Sequence, residues 1–134
     1  MVGGMTRKKA LQVAEMIDQG RYREAYALVA APLKRGNPEA AALIGALLVG
    51  GFLTEGEDDV QDRQGYLDRL EADRLKGIDL LTRASNAGFG IASHNLATAT
   101  LSFPGSLTAE EAKAKAIDML KLAKAQCVHF LEIE

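Results

Sequence analysis

Tryptophan is absent from this 134-residue chain, cysteine occurs once, and only 5% of residues are aromatic. The single cysteine, Cys127, excludes an internal disulfide framework. The N-terminal MVGGMTRKK has no apolar stretch after its basic residues to act as a secretory signal, so a cytoplasmic location is the expectation. The longest apolar run, Ala40 to Leu53, is shorter than the ~20 residues a membrane helix needs, which argues against a membrane partner. No basic stripe interleaved with aromatics appears, so nucleic acid is not expected as a partner either.

What is present favours helix. Apolar residues make up 48% of the chain and are mostly Ala and Leu, good helix formers. The length fits one domain, residues 1–134. Helical spacing predicts a first helix from Thr6 to Gln19, with Ala10, Val13, Ala14 and Ile17 on one face and Gly20 as its stop. A second runs from Tyr22 to Arg35, with Pro32 as a blemish because an interior proline loses a hydrogen bond. A third begins at Pro38 after Asn37 as N-cap and continues through the apolar run. A long helix from about Tyr66 to Asn86 follows, then one from Gly90 through Ser102. The sixth opens on a capping box, Thr108 with Glu111, and reaches about Gln126, with a short tail CVHFLEIE behind it. No segment has the period of a strand.

The chain repeats itself. With an offset of 52, Glu24–Gly45 aligns with Lys76–Ala97: Leu28 meets Leu80, Val29 meets Leu81, Gly36 meets Gly88, Ala40 meets Ala92 and Ile44 meets Leu96. A weaker third copy lies 39 residues further on, where Ala116, Met119, Leu120, Ala123 and Leu131 take the places of Gly77, Leu80, Leu81, Ala84 and Ala92. Each copy reads as helix, glycine turn, helix, and the matched positions Ala40, Ile44, Leu80, Leu81, Ala92 and Leu96 are expected in the core. Gly45, Gly50 and Gly51 are read as points of close helix contact.

GNPEAAALIG (Gly36–Gly45) and AGFGIASHNLA (Ala87–Ala97) resemble the Sel-like repeat branch of the tetratricopeptide superfamily, over about residues 22–131. The resemblance implies an all-α fold of about six or seven helices in stacked antiparallel hairpins, forming a short superhelix that binds proteins and carries no chemistry of its own. The first offset exceeds the ~40 residues typical of two-helix repeats, and the excess falls in an acidic insertion at about 54–66. The third copy has Cys127 where a glycine is expected, so about 108–134 reads as a capping unit.

The acidic insertion is the strongest chemical feature. Residues 55–73 carry eight acids against Arg63 and Arg69, a local net of −6 in a chain whose net charge is −2, so the remainder sums to +4. GEDDVQD (Gly56–Asp62) lacks the alternate carboxylates, sixth-position glycine and twelfth-position glutamate of a calcium loop, and no metal site is expected. Glu57, Asp58, Asp59 and Asp62 therefore read either as a solvated loop or as a contact surface for a basic protein. On the concave face that the repeat implies, Ser93, His94, Asn95, Thr98 and Ser102 are the polar candidates for partner contact, with the acidic insertion flanking them.

Catalysis has little support in the pattern. Cys127 and His129 stand two apart on a helical tail and point in different directions, and no orienting acid is placed beside them. Gly88 and Gly90 in GFGIAS supply two glycines of a phosphate loop, but Ser93 replaces the third and a helix precedes them, so no nucleotide or other cofactor is expected. The sequence thus points to a non-enzymatic binding protein, with a small inhibitor or immunity-type protein that occludes a basic toxin, such as a nuclease, as the leading form. An adaptor or chaperone cradling a peptide or effector, and a small hydrolase using Cys127, are the alternatives. Oligomeric state stays open, because residues 40–53 would serve equally as core or as a dimer surface.

Overall fold

Helix boundaries in this chain are set by short-range chemistry. The computed structural model describes residues 5–55 and 62–133, with side chains through 127. Six α-helices make up its regular structure: α1 Arg7–Asp18, α2 Tyr22–Lys34, α3 Pro38–Val49, α4 Arg63–Asn86, α5 Gly90–Ser102 and α6 Ala109–Ile133. No strand occurs among the described residues. The Thr6 side chain caps α1 by accepting from the Lys9 N–H, and that of Asn37 caps α3 by accepting from the Ala40 N–H. The capping box of α6 forms as expected: the Thr108 N–H donates to Glu111 Oε1 at 3.0 Å and the Glu111 N–H donates to Thr108 Oγ1 at 3.1 Å.

The two glycine turns that align in sequence share one hydrogen-bond pattern. The Gly36 N–H donates to the Leu33 carbonyl and the Asn37 N–H to that of Pro32; 52 residues on, Gly88 donates to Ser85 and Phe89 to Ala84. Both glycines hold positive φ, +79° and +94°, as this paired-bond helix stop requires. The same stop ends α1 and α3 at Gly20 and Gly51; Gly51 thus serves a turn as well as a close helix contact, since a Cβ there would lie 2.7 Å from Leu70 Cδ1 of α4. Pro32 fits because it lies in the last turn of α2, where its ring is buried and its carbonyl receives the Asn37 N–H.

Sequence-adjacent helices pack on one another, α3 with α4 and α5 with α6 most extensively, and α3 also touches α5. One core cluster joins α1, α2 and α3 through Val13, Ala25, Val29, Ala40 and Ile44; a second joins α3, α4 and α5 through Ala42, Val49, Leu81, Ala92 and Leu96. Helix α3 therefore buries side chains towards both clusters, which explains an apolar run with no polar stripe. Of the six matched repeat positions, Ala40, Ile44, Leu81, Ala92 and Leu96 are buried and Leu80 is half-buried. Where α3 meets α4 the backbones nearly touch: a Cβ placed on Gly77 would lie 2.6 Å from the Gly45 carbonyl oxygen.

Three boundaries differ from the sequence expectation. Helix α3 stops at Val49, short of the end of the apolar run at Leu53. Helix α4 begins at Arg63, three residues early, and α6 continues through the expected tail to Ile133. The third copy is thus one continuous helix where the first two break at a glycine. Position 127, the counterpart of Gly88, holds Cys127 instead, and a side chain there disfavours the positive φ that the turn demands.

Candidate functional site: an apolar groove with one carboxylate

Helices α1, α3 and α5 come together around an open groove of about 240 Å³. Helix α3 presents Glu39, Ala42, Leu43 and Ala46 to it, spacings of three and four that place them along one stripe. Ile17 closes the α1 side, and Phe89, Ile91 and Asn95 line the α5 side. Ile91 is 57% exposed, a large share for a branched apolar residue. Glu39 is the one charged group in the lining, half-buried, and burial pushes its carboxyl above the usual range.

The predicted partner surface is only partly assembled. Asn95 lines the groove, and Thr98 and Ser102 continue its helical stripe as exposed residues. His94 is exposed but lines a different groove between α5 and α6, about 390 Å³, beside Ile91, Leu120, Lys124 and Cys127. Ser93 is not a surface residue. It is fully buried, with its Oγ 2.6 Å from Ser85 Oγ and donating to Gln126 Oε1 at 2.7 Å, while Gln126 Nε2 donates to the Ser85 carbonyl at 3.0 Å. That three-residue network ties α4, α5 and α6 together and leaves Ser93 nothing to offer a partner.

Glu57, Asp58 and Asp59 lie outside the described residues. Asp62, at the N-cap position of α4, accepts from Arg69 at 3.3 Å, and Arg69 Nε also donates to the Glu55 carbonyl at 2.9 Å. One guanidinium thus holds both edges of the acidic segment. Other acids of the stretch are also engaged: Asp73 accepts from the Thr54 hydroxyl at 2.8 Å and Asp68 from Gln64 at 2.9 Å. Glu55 and Arg69 border a larger cleft, about 530 Å³, with Arg23, Tyr26, Asp73 and Lys76. None of its lining residues is shared with the α1/α3/α5 groove. Glu55, at the edge of the acidic segment, and Asn95 therefore border separate clefts.

Cys127 is exposed, with its Sγ packed where a side chain on Gly90 would otherwise sit. The structure brings it to the same groove as His94; the side chain of His129 lies outside the described set. Among the described residues no group of three or more His, Cys, Asp and Glu is arranged to hold a metal ion, and no helix is long and apolar enough to cross a membrane.

Sequence reasoning missed the groove itself. Its residues come from three helices separated by up to 78 positions (Ile17 to Asn95), and Glu39 reads locally as an ordinary first-turn acid of a helix. No family model, curated protein or solved structure matches the chain.

Proposed function

We propose that this protein is a non-enzymatic binding module of the Sel-like, tetratricopeptide-like kind, acting in the cytoplasm, whose α1/α3/α5 groove receives a basic protein. The carrying observation is the groove: an apolar lining with an exposed Ile91 and a single carboxylate, Glu39. Exposed apolar surface framed by polar residues is typical of interaction sites, and a lone acid within it favours a cationic partner. The −6 stretch at 55–73 acts at longer range, drawing a basic surface in without needing to touch the groove. The focused acidity of that stretch favours an inhibitor or immunity-type protein of a bacterial cell that occludes a basic toxin, a nuclease among the candidates. An adaptor or chaperone would use the same groove for a peptide.

The test is capture of a basic protein by the tagged chain from its native cells, repeated with Ile91→Glu. Ile91 is exposed, so the change should leave folding intact. Loss of the captured protein with Ile91→Glu is the expected outcome; capture that persists, or a captured protein without a basic surface, overturns the reading. A second reading, a Cys127-dependent hydrolase, draws on one observation, that the thiol and His94 line the same groove. Cys127→Ser that retains partner binding and every measured activity would dismiss it.

A further inference from the structure

At about 240 Å³ the α1/α3/α5 groove falls below the about 300–1,000 Å³ of drug-sized ligand sites and suits one long side chain. Its chemistry is divided. Leu43, Ala46 and Ile91 offer a path for an aliphatic stem, while Glu39 and Asn95 supply the polar atoms. Glu39 has no hydrogen-bond or ion-pair partner among the described residues, and no other ionisable group lines the groove. Any occupant that covers the groove strips water from that carboxylate. An apolar side chain would leave it desolvated and unpaired, and an anion would be repelled, whereas a cationic head on an aliphatic stem restores what the water supplied.

We infer that the groove is a recognition pocket for a single lysine or arginine side chain of the partner, its stem laid along Leu43, Ala46 and Ile91 and its charged head held by the carboxylate of Glu39 with the amide oxygen of Asn95. This rests on the binding-module reading above and names the group that the groove selects. The raised carboxyl of Glu39 agrees with it, since a cation lowers the desolvation cost that burial imposes.

The test uses small probes on the full chain, with methyl shifts of Ala42, Leu43, Ala46 and Ile91 read by NMR at low salt. The probes are n-butylammonium, n-butylguanidinium, 1-butanol and butanoate. Both cations should bind roughly ten-fold or more tightly than 1-butanol, beyond what an exposed ion pair yields, and butanoate should bind least. The ratio of the two cations tells lysine from arginine. Glu39→Gln should erase the preference while 1-butanol still binds; Glu39→Asp should keep part of it, and Glu15→Gln, an exposed acid of α1, should change nothing. Cation and alcohol titrating alike, or a preference that survives Glu39→Gln, overturns the inference and leaves the groove a binding surface. If no probe moves these methyls, the groove reading fails with it.

Discussion

Ser93 on α5 donates its hydroxyl proton to the side-chain carbonyl of Gln126 on α6, 2.7 Å away, and so must accept the proton of Ser85 on α4 through its own oxygen, at 2.6 Å. The network has one proton per link, and removing its middle member strands both ends. Ser93→Ala should therefore cost about 1–3 kcal/mol, read as a lower urea midpoint at unchanged slope. A surface serine, as the sequence pattern suggested, would cost under about 0.5 kcal/mol.

Two glycines of α4 should respond oppositely to alanine. At Gly77 a Cβ would meet backbone atoms of α3, 2.6 Å from the Gly45 oxygen and 2.9 Å from the Val49 nitrogen, and neither can step aside. Gly77→Ala should destabilise by about 1–3 kcal/mol through overpacking. At Gly65 the obstacle is the Asp62 carboxylate, an exposed side chain that can swing aside for the loss of its 3.3 Å contact to Arg69, a surface pair worth little. Gly65→Ala should gain about 0.5–1 kcal/mol from the alanine's helical preference. Thermal melts of the pair decide it.

Glu39 and Glu111 should carry opposite pH signs. Burial raises the Glu39 carboxyl, so the native state holds its proton more firmly than the unfolded chain; the resulting penalty is absent below the unfolded pKa and complete above the folded one. The Thr108 N–H and hydroxyl lower the Glu111 carboxyl, giving stability that is complete above the unfolded pKa and lost as pH falls through the folded one. Across the carboxylate range, rising pH should shift the wild type's stability down relative to Glu39→Gln and up relative to Glu111→Gln. Urea titrations from pH ~3 to ~6 span that range.

Charge in the acidic stretch should govern association speed rather than folding. Converting Glu57, Asp58, Asp59 and Asp62 to their amides should slow binding of the basic partner by about ten-fold at low salt, with the gap closing as the ~8 Å screening length of physiological buffer shortens further. Stopped-flow mixing across a salt series measures it. Equal rates at low salt would reduce the stretch to a solubilising loop.

What sequence could and could not disclose follows from range. The limits of α5 were legible to the residue from the Gly88 turn before it and the Pro104–Gly105 loop after it, and the start of α6 from Thr108 and Glu111, because such signals act within four residues. The inward turn of Ser93 was not. Helix α5 buries Ala92, Ser93, Leu96, Ala97 and Ala99, so its small residues face inward on more than one side and no period marks which serine is covered. Its partners Ser85 and Gln126 lie 8 and 33 residues away, and only the tertiary register brings them together. The groove was hidden for the same reason, since Glu39 becomes unusual only once α1 and α5 stand beside it.

Because α3 supplies side chains to both core clusters, neither half of the chain can open alone without baring it. Repeat proteins often lose end units one at a time, but here the central helix is common property of both halves, and its amide hydrogens should exchange only when the whole molecule opens. Helix α6 packs mainly against α5, with Gln126 reaching α4 through its bond to the Ser85 carbonyl, and should trade its hydrogens sooner. The molecule then behaves as a single cooperative body with one detachable end.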